Sequence, residues 1–61
     1  MRCKIRELRE RAGISLGQLA KQAGITKSEL SLIERNLRIP RISTLFKLRE
    51  ILGVSVDEMY K

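Results

Sequence analysis

Apolar residues recur at helical spacing in several short segments of the chain, and no segment alternates apolar and polar residues with a period of two. Ile5, Leu8 and Ala12, for example, fall on one helical face, and Gly13 directly after them can end a helix in a left-handed conformation. The pattern along the whole chain predicts five helices and no sheet. Their predicted bounds are 2–12, 16–23, 27–35, 42–52 and a short last helix that opens after Ser55.

Three of the predicted helices begin with the signature of a capping box, a Ser or Thr followed three residues later by Gln or Glu. The pairs are Ser15 with Gln18, Thr26 with Glu29, and Ser55 with Glu58. Gly24 and Gly53 are placed to end the second and fourth helices. The boundaries therefore rest on capping signals as well as on periodicity.

The apolar faces of the predicted helices supply one shared core. The expected core positions of the second to fourth helices are Leu19, Ala20, Ala23, Leu30, Ile33, Ile42, Leu45, Leu48 and Leu52. A chain of 61 residues has room for one domain, and helices this short are not stable alone in water. The sequence therefore predicts an all-α, compact, five-helix domain that spans residues 1–61.

The composition excludes most kinds of catalytic or metal site. The chain has no histidine, the commonest general base, and Cys3 is its only cysteine, so we expect no zinc site, no cofactor and no enzyme activity. A lone thiol, expected to be partly exposed, suits a reducing cytoplasm. No segment has the pattern of a secretory signal or the length of an apolar membrane span, and no separate small-molecule domain is expected.

The charge balance suggests an acidic partner but does not identify one. Thirteen Lys and Arg residues against seven Asp and Glu residues give a net charge of +6. This excess is typical of a solubilising surface and of a nucleic-acid-binding surface alike, and only the positions of the charges can separate the two. One Phe and one Tyr offer no stacking platform for single-stranded RNA.

The second and third predicted helices are joined by a turn of only Gly24, Ile25 and Thr26. A three-residue turn that contains glycine makes two helices cross steeply. The small side chain of Ala20 allows the third helix to approach closely. Such a corner buries one face of each helix and leaves the outer face of the third helix open to another molecule.

The sequence around this corner, ISLGQLAKQAGITKSELSLIERN, resembles the helix-turn-helix of the Cro/CI-like (Xre-type) family of bacterial and phage repressors. IRELRERAG is similar to the first helix of that family, and the run from Pro40 to LGVSVDE is similar to its fourth and fifth helices. The resemblance covers residues 5–58. It implies a lambda-repressor-like fold in a sequence-specific transcriptional regulator, most often a repressor, that binds a palindromic double-stranded DNA operator as a homodimer.

In helix-turn-helix proteins the second helix of the corner lies in the DNA major groove. The resemblance therefore assigns base contacts to the outward face of the third helix, at Lys27, Ser28, Ser31 and Leu32. A lysine can donate to guanine, serines can donate or accept, and a leucine can pack on a thymine methyl group. The alternative is an ordinary solvated helix face.

Phosphate contacts are expected from the start of the second helix and from the basic loop after the third. The residues are Ser15, Leu16, Arg35, Asn36, Arg38 and Arg41. Leu16 stands where the family often has a glutamine that bonds a phosphate, so a contact there has to come from backbone N–H groups. Arg41 is a poor helix cap but a good phosphate donor. The alternative for the loop is ordinary surface charge.

One further role follows from the resemblance: Arg9 and Glu34 match a structural ion pair that holds the third helix against the first. Separately, Phe46, Ile51, Met59 and Tyr60 are apolar beyond what the fourth helix needs for its own core. Packing at the edge of the core is the favoured role for these four residues, and a dimer surface is the alternative. Leu37 and Ile39 are apolar in a loop that is usually polar, and they either fold back onto the core or meet a partner. They leave open a protein-interaction module of the same fold, antitoxin-like or anti-repressor-like.

Overall fold

The computed structural model describes residues 2–61, which form five α-helices around one core. The helices are α1 (Ile5–Arg11), α2 (Leu16–Ala23), α3 (Lys27–Glu34), α4 (Ile42–Leu52) and α5 (Val56–Met59). α2 packs against both α3 and α4, and α5 packs against α4. The all-α fold and the number of helices in this part of the chain are as the sequence predicts.

Every helix places at least one fully buried side chain in the core. These side chains are Ile5 of α1, Leu19 of α2, Leu30 and Ile33 of α3, Leu48 of α4 and Met59 of α5. Ala20 and Ala23 are also buried, so α2 can lie close to its neighbours. Since none of these helices exceeds 11 residues, their stability comes from this packing rather than from helix propensity.

Local capping explains where the helices begin. The Ser15 hydroxyl accepts from the Gln18 N–H at 3.1 Å, and the Gln18 amide oxygen accepts from the Ser15 N–H at 2.9 Å. Ser55 and Glu58 form the same reciprocal box. Thr26 accepts from the Glu29 N–H at 3.0 Å, but no return bond from the Glu29 side chain joins them in the described chain. Two of the three predicted boxes are therefore complete and one is half formed.

Gly24 closes α2 and makes the corner possible. Its backbone is left-handed, with φ 74° and ψ 29°. The Gly24 N–H donates to the Lys21 carbonyl and the Ile25 N–H donates to the Ala20 carbonyl, the paired bonds of a Schellman cap. α3 begins three residues after Gly24, as the sequence predicts.

The first helix is shorter than predicted, because residues 2–4 pair with the other end of the chain. Cys3 and Tyr60 form an isolated antiparallel bridge. The Lys4 N–H donates to the Met59 carbonyl at 2.7 Å, and the Lys61 N–H donates to the Arg2 carbonyl at 2.9 Å. α3 also ends one residue earlier than predicted, at Glu34, and Asn36 follows with a left-handed φ of 64°.

The core differs from the prediction at the start of α4. Ile42 was expected in the core, but it is 71% exposed because a side chain in the first turn of a helix points back beyond the helix end. Thr44 and Leu48, four residues apart, form the buried face instead. Leu45 and Leu52 are only partly buried and pack against the core from its edge.

Candidate nucleic-acid interface

The outer face of α3 carries a shallow depression of about 360 Å³. Leu30 and Ile33 point the other way into the core, so the opposite face of the helix is left uncovered. The depression is lined by Leu16, Lys27, Ser28, Ser31, Leu32 and Arg35. The structure thus brings together all four residues predicted to contact bases and two of those predicted to contact phosphates.

The Lys27 side chain lies across the start of α2. A β-carbon on Gly17 would lie 3.5 Å from Lys27 Cδ and 3.9 Å from its Cε. The apolar stem of Lys27 therefore lies over the α2 backbone, at a distance that would put an added β-carbon in ordinary van der Waals contact with it. Lys27 also lines the depression, and its ammonium group is a donor for a base or a phosphate.

The positive charges of this side of the molecule are not neutralised by neighbouring carboxylates. Within residues 2–61 the ion pairs are Arg2–Glu7, Arg6–Glu10 and Arg9–Glu34. Lys27, Arg35, Arg38 and Arg41 form no ion pair with a described residue. Unpaired cations grouped around a helix with an open outer face attract a polyanion.

The ion pair between Arg9 and Glu34 joins α1 to the end of α3. Arg9 Nε donates to Glu34 Oε2 at 2.7 Å and Arg9 Nη2 donates to Oε1 at 3.2 Å, a bidentate arrangement. A third bond runs from Arg9 Nη1 to the Ile14 carbonyl at 2.9 Å. The Glu34 carboxylate raises the pKa of Arg9 by accepting the first two of these hydrogen bonds. The pair holds α3 in place and takes no part in the open face.

The start of α2 and the first residue of the loop 35–41 border this face, through Leu16 and Arg35. The Ser15 hydroxyl is engaged by Gln18, but the first N–H groups of α2, those of Leu16 and Gly17, have no carbonyl one turn back to bond. In the loop, Arg35, Asn36, Arg38 and Arg41 are exposed at the surface, and Pro40 is buried. Arg41 makes no capping bond to α4, so its guanidinium is not used by the helix that it precedes.

The alternative of a dimer surface is wrong at Met59, which is fully buried in the core. Ile51 and Tyr60 are partly buried and pack against the core, which is the role that the sequence favours for them. Only Phe46 of the four is classed as exposed, with the Arg49 guanidinium 6.0 Å from its ring centre. The sequence could not show that Met59 is buried, because α5 is a single turn and is too short for apolar spacing to identify its buried face.

A different set of apolar side chains is exposed, and we call it the apolar patch. It comprises Leu37, Ile39, Ile42, Phe46 and Val56. Leu37 and Ile39 do not fold back onto the core, and Ile39 is 90% exposed. A groove of about 470 Å³ beside the patch is lined by Asn36, Ile39, Pro40, Leu45, Val56 and Tyr60. The signal available in the sequence was that Leu37 and Ile39 are apolar in a loop that is usually polar, whereas Val56 carried no such signal.

Cys3 is buried, contrary to the expectation of a partly exposed thiol. Burial raises its pKa and also raises the pKa of Tyr60, whose ring lies beside it. No group of potential metal ligands occurs in residues 2–61. None of the helices in the same range has the length and apolar character needed to cross a membrane.

Several known proteins are similar to this chain in sequence. The HTH-type transcriptional regulator SinR of Bacillus subtilis is 48% identical over 57 residues, which are 92% of this chain and 51% of SinR. The HTH-type transcriptional regulator PuuR of Escherichia coli is 37% identical over 57 residues, which are 93% of this chain and 31% of PuuR. The chain therefore spans about half or less of the length of these relatives.

The fold is shared as well. A crystal structure of SinR, the master regulator for biofilm formation, in complex with DNA matches with a TM-score of 0.83 and 44% identity, over 95% of this chain and 94% of that chain. A family model described as helix-turn-helix matches residues 5–59. With its steep corner, its open α3 and these matches, the chain belongs to the helix-turn-helix family of the Cro/CI-like (Xre) type.

Proposed function

We propose that residues 1–61 act as one DNA-binding unit of a transcriptional regulator, a repressor that reads a double-stranded operator in the major groove. The observation that carries the proposal is the depression on α3, where all four candidate base-contacting residues meet beside unpaired cations. Support comes from a relative of 44% identity whose structure was solved with DNA. The relatives reported above are named as regulators rather than enzymes, so the unit binds and does not catalyse.

The residues of α3 read the bases in this proposal. Lys27 donates to guanine O6 or N7 from the N-terminal end of the helix, which enters the groove first. Ser28 and Ser31 exchange hydrogen bonds with base edges, and Leu32 packs against a thymine methyl group. Arg9 and Glu34 keep α3 at the angle that these contacts need.

The borders of the face hold the phosphates. The Leu16 N–H, next to the Ser15 cap at the positive end of the α2 dipole, donates to one phosphate. Arg35, Asn36, Arg38 and Arg41 meet the backbone on the other side of α3. Such contacts set the register of α3 on the duplex and carry no sequence information themselves. We place the protein in the bacterial cytoplasm, because the DNA that it would bind lies there.

The test first selects a duplex from a random pool. The protein is then titrated against this duplex at several salt concentrations, and fluorescence anisotropy measures the affinity. Affinity should fall steeply with salt because phosphate binding releases counterions. Arg38→Ala should weaken binding to every duplex and reduce the salt slope by about one. Ser28→Ala should change which base is preferred.

The matched control is Arg11→Ala, which removes the same charge from the side of α1 that faces α5. It should leave the preferred sequence and most of the affinity unchanged. A salt-independent affinity, or equal losses from Arg38→Ala and Arg11→Ala on all duplexes, would contradict the proposal.

The apolar patch supports a second candidate, a protein-interaction module of the same fold. Two of its exposed apolar side chains, Ile39 and Val56, line one groove, and a groove of this kind is typical of a contact surface. One relative was solved as a complex of SinR with SinI, so a chain of this fold occurs in a protein complex. A co-purifying protein partner, with no duplex selected from the pool, would favour this candidate.

A further inference from the structure

We propose that the depression on α3 contains a notch for the C5-methyl group of thymine, with Leu16 and Leu32 as its apolar walls. The inference rests on the proposed function, because it requires α3 to lie in the major groove. It goes further than a contact from Leu32 alone, because it assigns two side chains from different helices to one methyl-binding notch. It also gives the Leu16 side chain a role in base recognition, separate from the phosphate contact of its backbone.

The two leucines belong to different helices and meet only in the folded chain. Leu16 is the first residue of α2, Leu32 lies in the last turns of α3, and both are partly buried while lining the same depression. Gly24 and the Arg9–Glu34 pair set the position of α3 against the rest of the domain. The leucines therefore present apolar surface that is already in place before a ligand arrives.

The Lys27 stem adds to this apolar surface. Its methylene groups lie over Gly17, with Cδ and Cε in contact range of the position where a β-carbon would stand. Lys27 is the first residue of α3 and Arg35 directly follows its last residue, so a cation lies at each end of the helix. At 1.5 Å per residue, these two positions are about 12 Å apart along the helix axis, a span of three to four base pairs.

The hydroxyl groups of the depression, beside its two leucines, match thymine better than cytosine. In the major groove thymine presents the O4 acceptor next to the methyl group, whereas cytosine presents an amino donor and no methyl group. Ser28 and Ser31 supply hydroxyl donors for O4, and no carboxylate lines the depression to accept from cytosine. A hydroxyl beside two leucines is thus complementary to the edge of thymine.

The first experiment replaces each thymine of the selected duplex, one at a time, with deoxyuridine, which removes only the methyl group. Burial of one methyl group corresponds to about a fourfold change in affinity. We expect the Kd to rise by about this factor at one or two thymines of each half-site and to stay unchanged elsewhere. Cytosine at those positions should bind more weakly, and 5-methylcytosine should recover part of that loss.

The second experiment repeats the deoxyuridine series with Leu16→Ala and Leu32→Ala, after circular dichroism has shown that both variants are folded. Each should lower or abolish the penalty for removing the methyl group. The control is Gln22→Ala, an exposed residue of α2 outside the depression, which should keep the penalty.

Two results would overturn the notch, and they differ from a failure of the proposed function. If the wild-type chain binds its duplex with the expected salt dependence but tolerates deoxyuridine everywhere, no methyl group is read. If the penalty persists unchanged in both leucine variants, the methyl group is read elsewhere. If the chain selects no duplex at all, that result contradicts both the notch and the proposed function.

Discussion

Gly17 lies inside α2, under the side chain of Lys27. Glycine inside a helix is less favourable than alanine, so Gly17 weakens α2. The stem of Lys27 lies over this position, at a distance that would put an added β-carbon in ordinary van der Waals contact with it. The position of Lys27 therefore does not require glycine here, and alanine fits beneath it.

Gly17→Ala should raise the free energy of unfolding by about 0.5–1 kcal/mol, because alanine favours the helix. The new β-carbon would lie 3.5 Å from Lys27 Cδ, an ordinary van der Waals contact. Urea denaturation followed by circular dichroism measures the change. The matched control is Gly24→Ala, where a left-handed φ of 74° should make the same substitution cost about 1–2 kcal/mol. A loss of stability at residue 17 would contradict this prediction.

At the scale of the helices, the orientation of α3 depends on both of its ends. The Gly24 turn sets the corner at the N-terminal end, and the Arg9–Glu34 pair holds the C-terminal end to α1. Only 11% of the Arg9 side chain and 6% of the Glu34 side chain are exposed. At such burial the intact pair adds little net stability, but the loss of one partner leaves a charge without compensation.

Glu34→Ala and Arg9→Ala should each lower the free energy of unfolding by about 3 kcal/mol, and the double variant should lose much less than the sum. Denaturant titrations of the four proteins complete the cycle. Glu10→Ala, which breaks the exposed Arg6–Glu10 pair, is the control and should cost no more than about 0.5 kcal/mol. Additive losses at residues 9 and 34 would show that the two side chains do not act as a pair.

At the scale of the whole molecule, the loop 35–41 joins two surfaces. Its Arg35 lines the depression on α3, and its Leu37 and Ile39 belong to the apolar patch. We propose that two copies associate through the patch, so that the contact between copies also sets the spacing of the phosphate contacts. A domain of 24 × 22 × 19 Å is small enough for two side by side to place their α3 helices about 34 Å apart, one turn of DNA.

Ile39→Ser should weaken self-association and leave the folded monomer unchanged to within about 0.5 kcal/mol, because the side chain is 90% exposed. Sedimentation equilibrium, with and without the selected duplex, measures the monomer and the dimer. The wild-type chain should bind a two-fold symmetric duplex more tightly than a single half-site, and the variant should lose most of that difference. Equal affinities of the wild-type chain for both duplexes would exclude a dimer on DNA.

The sequence by itself determined the features that depend on neighbours within about four residues. The bounds of α2 and α4, the caps at Ser15 and Ser55, and the turn at Gly24 follow from such local interactions. The position of the open face followed from them too, because Leu30 and Ile33 define which side of α3 is buried.

Only the tertiary structure decided which side chains far apart in the chain meet. It pairs Cys3 with Tyr60, buries Met59 and leaves Ile42 exposed. It also places Leu16 of α2 and Leu32 of α3 in the lining of one depression, which neither helix encodes alone. The physical reason is that periodicity marks a side chain as apolar, whereas burial depends on whether another element covers it.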